Sequence, residues 1–179
     1  VPTYVALLRG INLGARNRVA MADLRALLEG LGYDDVRTHL QSGNAVFSTG
    51  TRSATAVRTA VEKAIDDELG MAVPVVVRTA AQVAKVVAAD PLGDRASDHA
   101  RYLVVFLDKA LPASAVAHVD PQKYAPEEYA LVGKELYLWL PAGSHDSRLA
   151  RALSDQALGG VGTARNWRTV LKLAELAAA

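Results

Sequence analysis

With 179 residues, 51% of them hydrophobic and 22% charged, the sequence is that of a folded globular chain and excludes a mainly disordered one. Its net charge of +1 argues against a whole-surface basic footprint for duplex nucleic acid. The absence of cysteine removes disulfides, thiolate nucleophiles and cysteine-ligated metals. With no signal segment at its start and no apolar run of bilayer-crossing length, a cytoplasmic protein without a membrane partner is expected.

Thr3 to Leu8 is an apolar run bounded by Pro2 and Arg9-Gly10, which predicts a buried strand. A polar loop follows from Arg9 to Val19. Met21, Leu24, Leu28 and Leu31 then recur at helical spacing, with Asp23 in the first turn and Gly32 at the end. Val36 to Gln41 and Asn44 to Ser48 read as two strands of a hairpin about Ser42-Gly43. Ser53 caps a helix whose apolar face is Val57, Val61, Ala64, Ile65 and Leu69, and Gly70 ends it. Val73 to Arg78 is a strand that Pro74 consigns to a sheet edge, because proline has no N–H to donate. The order β-α-β-β-α-β is the ferredoxin-like, split βαβ motif.

The second half nearly repeats it. Thr79-Ala80-Ala81-Gln82 is a capping box for a connecting helix that stops at Asp90-Pro91. After a polar linker, Tyr102 to Leu107 echoes the first strand, with Tyr4 matched to Tyr102. A short helix (Ala113 to His118) comes next, then a hairpin from Glu128 to Val132 and Glu135 to Leu140. The sequence predicts a helix from Ser147 to Leu158, a last strand near Val161 to Thr163, and a C-terminal helix from Asn166. The fold class is therefore α+β, a tandem duplication of a ferredoxin-like unit with antiparallel sheets and an extra C-terminal helix. Its parts are a first half (1–78), a connecting helix and linker (79–100) and a second half (101–179).

Three polar clusters fall where strands end or helices begin, the places where a scaffold presents chemistry. They are Arg9-Gly10-Ile11-Asn12, Gln41-Ser42-Gly43-Asn44 and Thr163-Ala164-Arg165-Asn166-Trp167. A right-handed crossover makes the first two strands parallel, which brings the first two clusters to one end of one sheet. The loop after the first strand carries Arg9, Asn12, Arg16, Asn17 and Arg18 with no acid before Asp23. Its counterpart in the second half is the short Leu107 to Pro112, so building the fold does not require the long basic version. Arginine forks and backbone N–H groups around Gly10 and Gly14 suit an anion or a phosphate.

Other readings compete at each cluster. Arg9 and Asn12 could simply tie down the loop's own backbone or the hairpin. Ser42-Gly43-Asn44 is first of all a tight turn. His39 and Ser42 point to opposite faces of a strand, which rules out a serine hydrolase. Asn166 reads as a helix cap and Trp167 as core, with Arg165, Arg168 and Lys172 left as a basic edge. His39, His99, His118 and His145 lack metal-ligand spacing, and no catalytic constellation, metal site or cofactor signature is present.

Leu7-Leu8-Arg9-Gly10-Ile11-Asn12-Leu13-Gly14, Gln41-Ser42-Gly43-Asn44 with Phe47, and Thr163 with Arg165-Asn166-Trp167 together resemble the bacterial domain-of-unknown-function family 1697. The resemblance runs essentially end to end, with departures at Ala15, His39 and Ala164. It implies two ferredoxin-like halves and brings no established activity. The candidate ligand-binding residues are Arg9, Gly10, Asn12, Gly14, Arg16, Arg18, Ser42, Asn44, Arg165 and Asn166. The expected partner is a small phosphate-bearing or other anionic ligand, such as a nucleotide. The alternatives are an enzyme acting on an anionic substrate in the same pocket, an RNA-binding module, or a homo-oligomer using an edge strand. RNA is less favoured, because the strands offer few aromatics to stack on bases.

Overall fold

A computed structural model describes residues 1–179. The chain divides into two compact units, Val1–Lys85 with Lys172–Ala179, and Val86–Leu171.

The first unit runs β1 (Thr3–Leu8), α1 (Met21–Gly30), β2 (Asp34–His39), β3 (Asn44–Ser48), α2 (Ala54–Leu69) and β4 (Val75–Thr79). Its sheet has the order β2-β3-β1-β4 with every neighbouring pair antiparallel. β1 and β2 are both antiparallel to β3, so they run parallel to each other, as the crossover requires. The pleat sorts β1: Tyr4, Ala6 and Leu8 enter the core beneath the helices with Leu24, Leu28, Val57, Val61 and Ile65. Val5 and Leu7 are buried too, on the opposite face, opposite Val46, Val76, Asn44 and Arg78. That explains why the strand reads as an unbroken apolar run rather than an alternation. Tyr33 stacks on Phe47 with ring centroids 4.7 Å apart, closing the core beside β3.

Local signals act as the residues dictate. The Ser53 hydroxyl accepts the Ala56 N–H at 3.2 Å to start α2, and Gly70, at φ 66°, ends it by donating to the Asp66 carbonyl. β4 begins at Val75 rather than at Val73, and it runs on through Thr79. Pro74 stays outside the ladder as an acceptor only, taking the Arg9 N–H at 3.0 Å. β4 is an edge strand, as the proline demands. Thr79 and Gln82 then form the reciprocal capping box of α3 (Ala80–Ala89), with bonds of 2.9 and 3.1 Å.

The second unit carries β5 (Tyr102–Leu107), two short 3₁₀ turns (Ala113–Val116 and Pro121–Lys123), β6 (Glu128–Val132), β7 (Glu135–Trp139), α4 (Arg148–Ala152), α5 (Asp155–Leu158), β8 (Gly162–Asn166) and the start of α6 (Trp167–Ala178). Its sheet order, β6-β7-β5-β8, repeats that of the first. The fold is thus a duplicated ferredoxin-like unit with a C-terminal helix.

Beyond shifts of one or two residues at the ends of β2, β4 and β7, three elements differ from the sequence reading. The helix expected over Ala113 to His118 is only a four-residue 3₁₀ turn without a side-chain cap. The single helix expected over Ser147 to Leu158 is two, because Ser154 caps afresh by accepting the Ala157 N–H while Leu153 leaves helical geometry. The last strand is longer and later than Val161 to Thr163, and it takes in Arg165 and Asn166.

The two copies also align one residue away from the Tyr4-to-Tyr102 match. Leu8 N–H donates to the hairpin at Gly43, and Leu107 N–H does the same at Lys134, at 2.9 and 2.8 Å. Leu8 therefore corresponds to Leu107, and Thr3, not Tyr4, to Tyr102. A shift of one residue on a strand reverses the face. Tyr4 faces the helices of its unit, whereas Tyr102 lies on the other face and stacks on Trp167 at 4.7 Å.

Candidate functional site

The loop leaving β1 is held at both ends. Leu8 N–H bonds the Gly43 carbonyl and Arg9 N–H bonds Pro74, which fixes the chain between the hairpin turn and the entry to β4. Ile11 and Val19 are 2% and 3% exposed, so two apolar side chains anchor the loop in the helix-side core. Between them the backbone doubles back. Asn12 N–H meets the Asn17 carbonyl at 3.0 Å, Leu13 bridges Arg16, and Gly14 turns at φ 74°. Asn12 and Asn17 stand at φ 55° and 50°, left-handed backbone that asparagine tolerates better than most residues.

Asn12 is the brace. Its Nδ2 donates to the Val19 carbonyl at 2.9 Å and to the Gln41 carbonyl at 2.6 Å, while its Oδ1 accepts the Val19 N–H at 2.8 Å. Both amide hydrogens and the oxygen thus serve main-chain partners, and one of these bonds joins the first polar cluster to the second. Asn44 is fully buried and donates to the His39 carbonyl at 2.7 Å and the Ser42 hydroxyl at 3.1 Å. Gly43 completes the joint at φ 93°, where a Cβ would lie 2.8 Å from both Ile11 Cδ1 and Leu8 Cβ.

The charged side chains exposed on this joint are all cationic. Arg9, Gly10, Gly14, Arg16, Arg18 and Ser42 are all exposed. No aspartate or glutamate occurs from Arg9 to Ala22 or from Val36 to Ser53. The geometry can present guanidinium forks from a loop whose backbone is already ordered.

The third cluster belongs to the other unit. Arg165 is not an exposed basic edge: it lies in β8 opposite Val104, 7% exposed. Its Nη1 donates to Thr163 Oγ1 at 2.7 Å and to the Ala164 carbonyl at 2.9 Å. Burial lowers its pKa to about 10, which still leaves it charged at neutral pH. Asn166 is the helix cap, accepting the Thr169 N–H at 3.0 Å, and Trp167 is buried.

Register exposes a residue that the sequence reading passed over. Arg78 faces Val5 in the first sheet as Arg165 faces Val104 in the second, and it too is buried. Each arginine is followed by a capping residue and a helix: Arg78-Thr79 before α3, Arg165-Asn166 before α6. Aligning the copies on their last strands, rather than their first, reveals this pair. Leu13 and Leu40 were passed over as well, and both are exposed beside the joint.

A family model described as "Protein of unknown function (DUF1697)" matches residues 1–137, which takes in the arginine loop, its bracing turn and most of β7. The chain belongs to the DUF1697 family. This DUF1697 chain is similar in structure to the conserved bacterial protein SP0830 from Streptococcus pneumoniae, with a TM-score of 0.71, 21% identity and 98% of each chain covered. At that identity the likeness is one of fold. No curated protein matches the sequence. No helix is long and apolar enough to cross a membrane.

Proposed function

We propose that this protein is a binding module for a small phosphate-bearing or similar anionic ligand, held by Arg9, Arg16 and Arg18 with the exposed backbone of Gly10 and Gly14 and the Ser42 hydroxyl. The observation that carries the reading is the braced loop: three exposed arginines, no carboxylate in either segment, and a backbone ordered by Asn12. Pre-ordering lowers the entropy cost of gathering several cations on one ligand. Asn12 and Asn44 serve as positioning residues, since their amides are already engaged.

A small ligand is favoured over RNA on this geometry. Ferredoxin-like sheets that read RNA stack bases on exposed aromatics. Here Tyr4, Phe47 and Tyr102 are at most 1% exposed.

Calorimetric or NMR titration with inorganic phosphate tests the reading. The native chain binds, with affinity falling as salt is raised, and Arg16→Ala with Arg18→Ala weakens binding by about tenfold or more without altering the unfolding midpoint. Failure of the native chain to bind, or equal affinity in the double variant, overturns it.

A further inference from the structure

Leu13 and Leu40 are 75% and 56% exposed, an unusual pair of apolar side chains to leave in water beside a cationic loop. They flank one hydrogen bond. Asn12, next to Leu13, donates to the carbonyl of Gln41, next to Leu40, at 2.6 Å, so loop and turn hold the two leucines at the same corner of the sheet. Leu40 carries a second peculiarity. Its φ is 62°, left-handed backbone that a branched side chain adopts at a cost and that glycine or asparagine would relieve. The turn uses that backbone, with the Leu40 carbonyl accepting the Gly43 N–H at 3.4 Å, while the leucine itself stays largely in solvent.

We infer that the anion held at this loop carries an apolar body, with Leu13 and Leu40 contacting that body while Arg16 and Arg18 hold the charge. This rests on the anionic-ligand reading above and names the class of ligand: a soluble organic phosphate monoester rather than the inorganic ion. Charge complementarity selects the anion, and the leucines select what is attached to it. Two leucines and three arginines make too small a footprint for durable seating on a bilayer.

Three probes separate the possibilities: methyl phosphate, phenyl phosphate and vesicles containing anionic phospholipid. The two esters present the same kind of phosphate and differ in apolar area. The native chain binds phenyl phosphate about tenfold more tightly than methyl phosphate, in line with burial of one ring against aliphatic side chains. Leu13→Ser with Leu40→Asn brings that ratio close to one while leaving the affinity for methyl phosphate unchanged. Asparagine suits the left-handed backbone, so the variant folds. Equal affinity for the two esters in the native chain, or a preference that survives both substitutions, overturns the inference and leaves the phosphate reading standing. Binding of neither ester overturns both. Co-sedimentation with the vesicles in the absence of ester binding assigns the leucines to a membrane surface and overturns the soluble ligand.

Discussion

Asn12 and Gln41 are 29 residues apart and joined by a hydrogen bond of 2.6 Å from the Asn12 amide to the Gln41 carbonyl. With its two bonds to Val19, that amide ties the exit of β1, the start of α1 and the β2–β3 turn into one piece. Removing it leaves three main-chain groups to find water or go unpaired. Asn12→Gly, which keeps the backbone freedom but loses the bonds, costs about 2 kcal/mol in urea unfolding. Asn12→Ala adds left-handed strain and costs roughly 1 kcal/mol more. Equal stability of native chain and Asn12→Gly would show that the brace adds nothing.

Gly43 is the tighter constraint. Its φ of 93° lies in the left-handed region, and the missing Cβ is what lets Ile11 and Leu8 close on the turn. Gly43→Ala is expected to destabilise by about 2–4 kcal/mol through strain and overlap together. Trimming Ile11 to alanine does not restore the loss, since Leu8 Cβ still stands 2.8 Å from the added carbon and the strain is untouched. Full recovery in the double variant would mean that side-chain crowding alone is at issue.

Stability should fall at alkaline pH. The Tyr102 hydroxyl donates to Asp90 Oδ1 at 2.9 Å and the Tyr137 hydroxyl to the Val86 carbonyl at 2.9 Å. Burial pushes both phenols well above the usual tyrosine value. A raised folded-state pKa means that the native state keeps its proton where the unfolded chain, ionising near 10, gives it up. The stabilisation is therefore whole below pH 10 and is lost as pH rises above it. Arg165, whose pKa burial lowers to about 10, works in the opposite sense above that pH, but it is one group against these two tyrosines. Urea unfolding at steps from pH 9 to 12 should show a decline, shallower in Tyr137→Phe. An identical slope in that variant would discount the tyrosine.

Much of the fold was legible from local chemistry. Ser53, Gly70, the Thr79–Gln82 box and Pro74 act on their own neighbours, so their effects could be read residue by residue. The crossover rule brought the first two clusters together, and the Asn12–Gln41 bond is where they meet. Arg165 was misread because a charged residue just before a helix looks like surface, and only pairing with Val104 puts it inside a sheet. The split at Ser154 was missed because the apolar spacing continues through it, while the serine's competing bond is visible only in three dimensions.

The sequence by itself determined the repeated strand order, the caps at Ser53, Gly70 and Thr79, the edge position of β4 and the family, because each depends on neighbours along the chain or on spacing. The tertiary structure alone decided which polar side chains are consumed by the backbone and which stay on the surface. Asn12 and Arg16 look alike as loop residues. One is a brace and the other faces solvent, because hydrogen-bond partners and burial are set by segments distant in sequence.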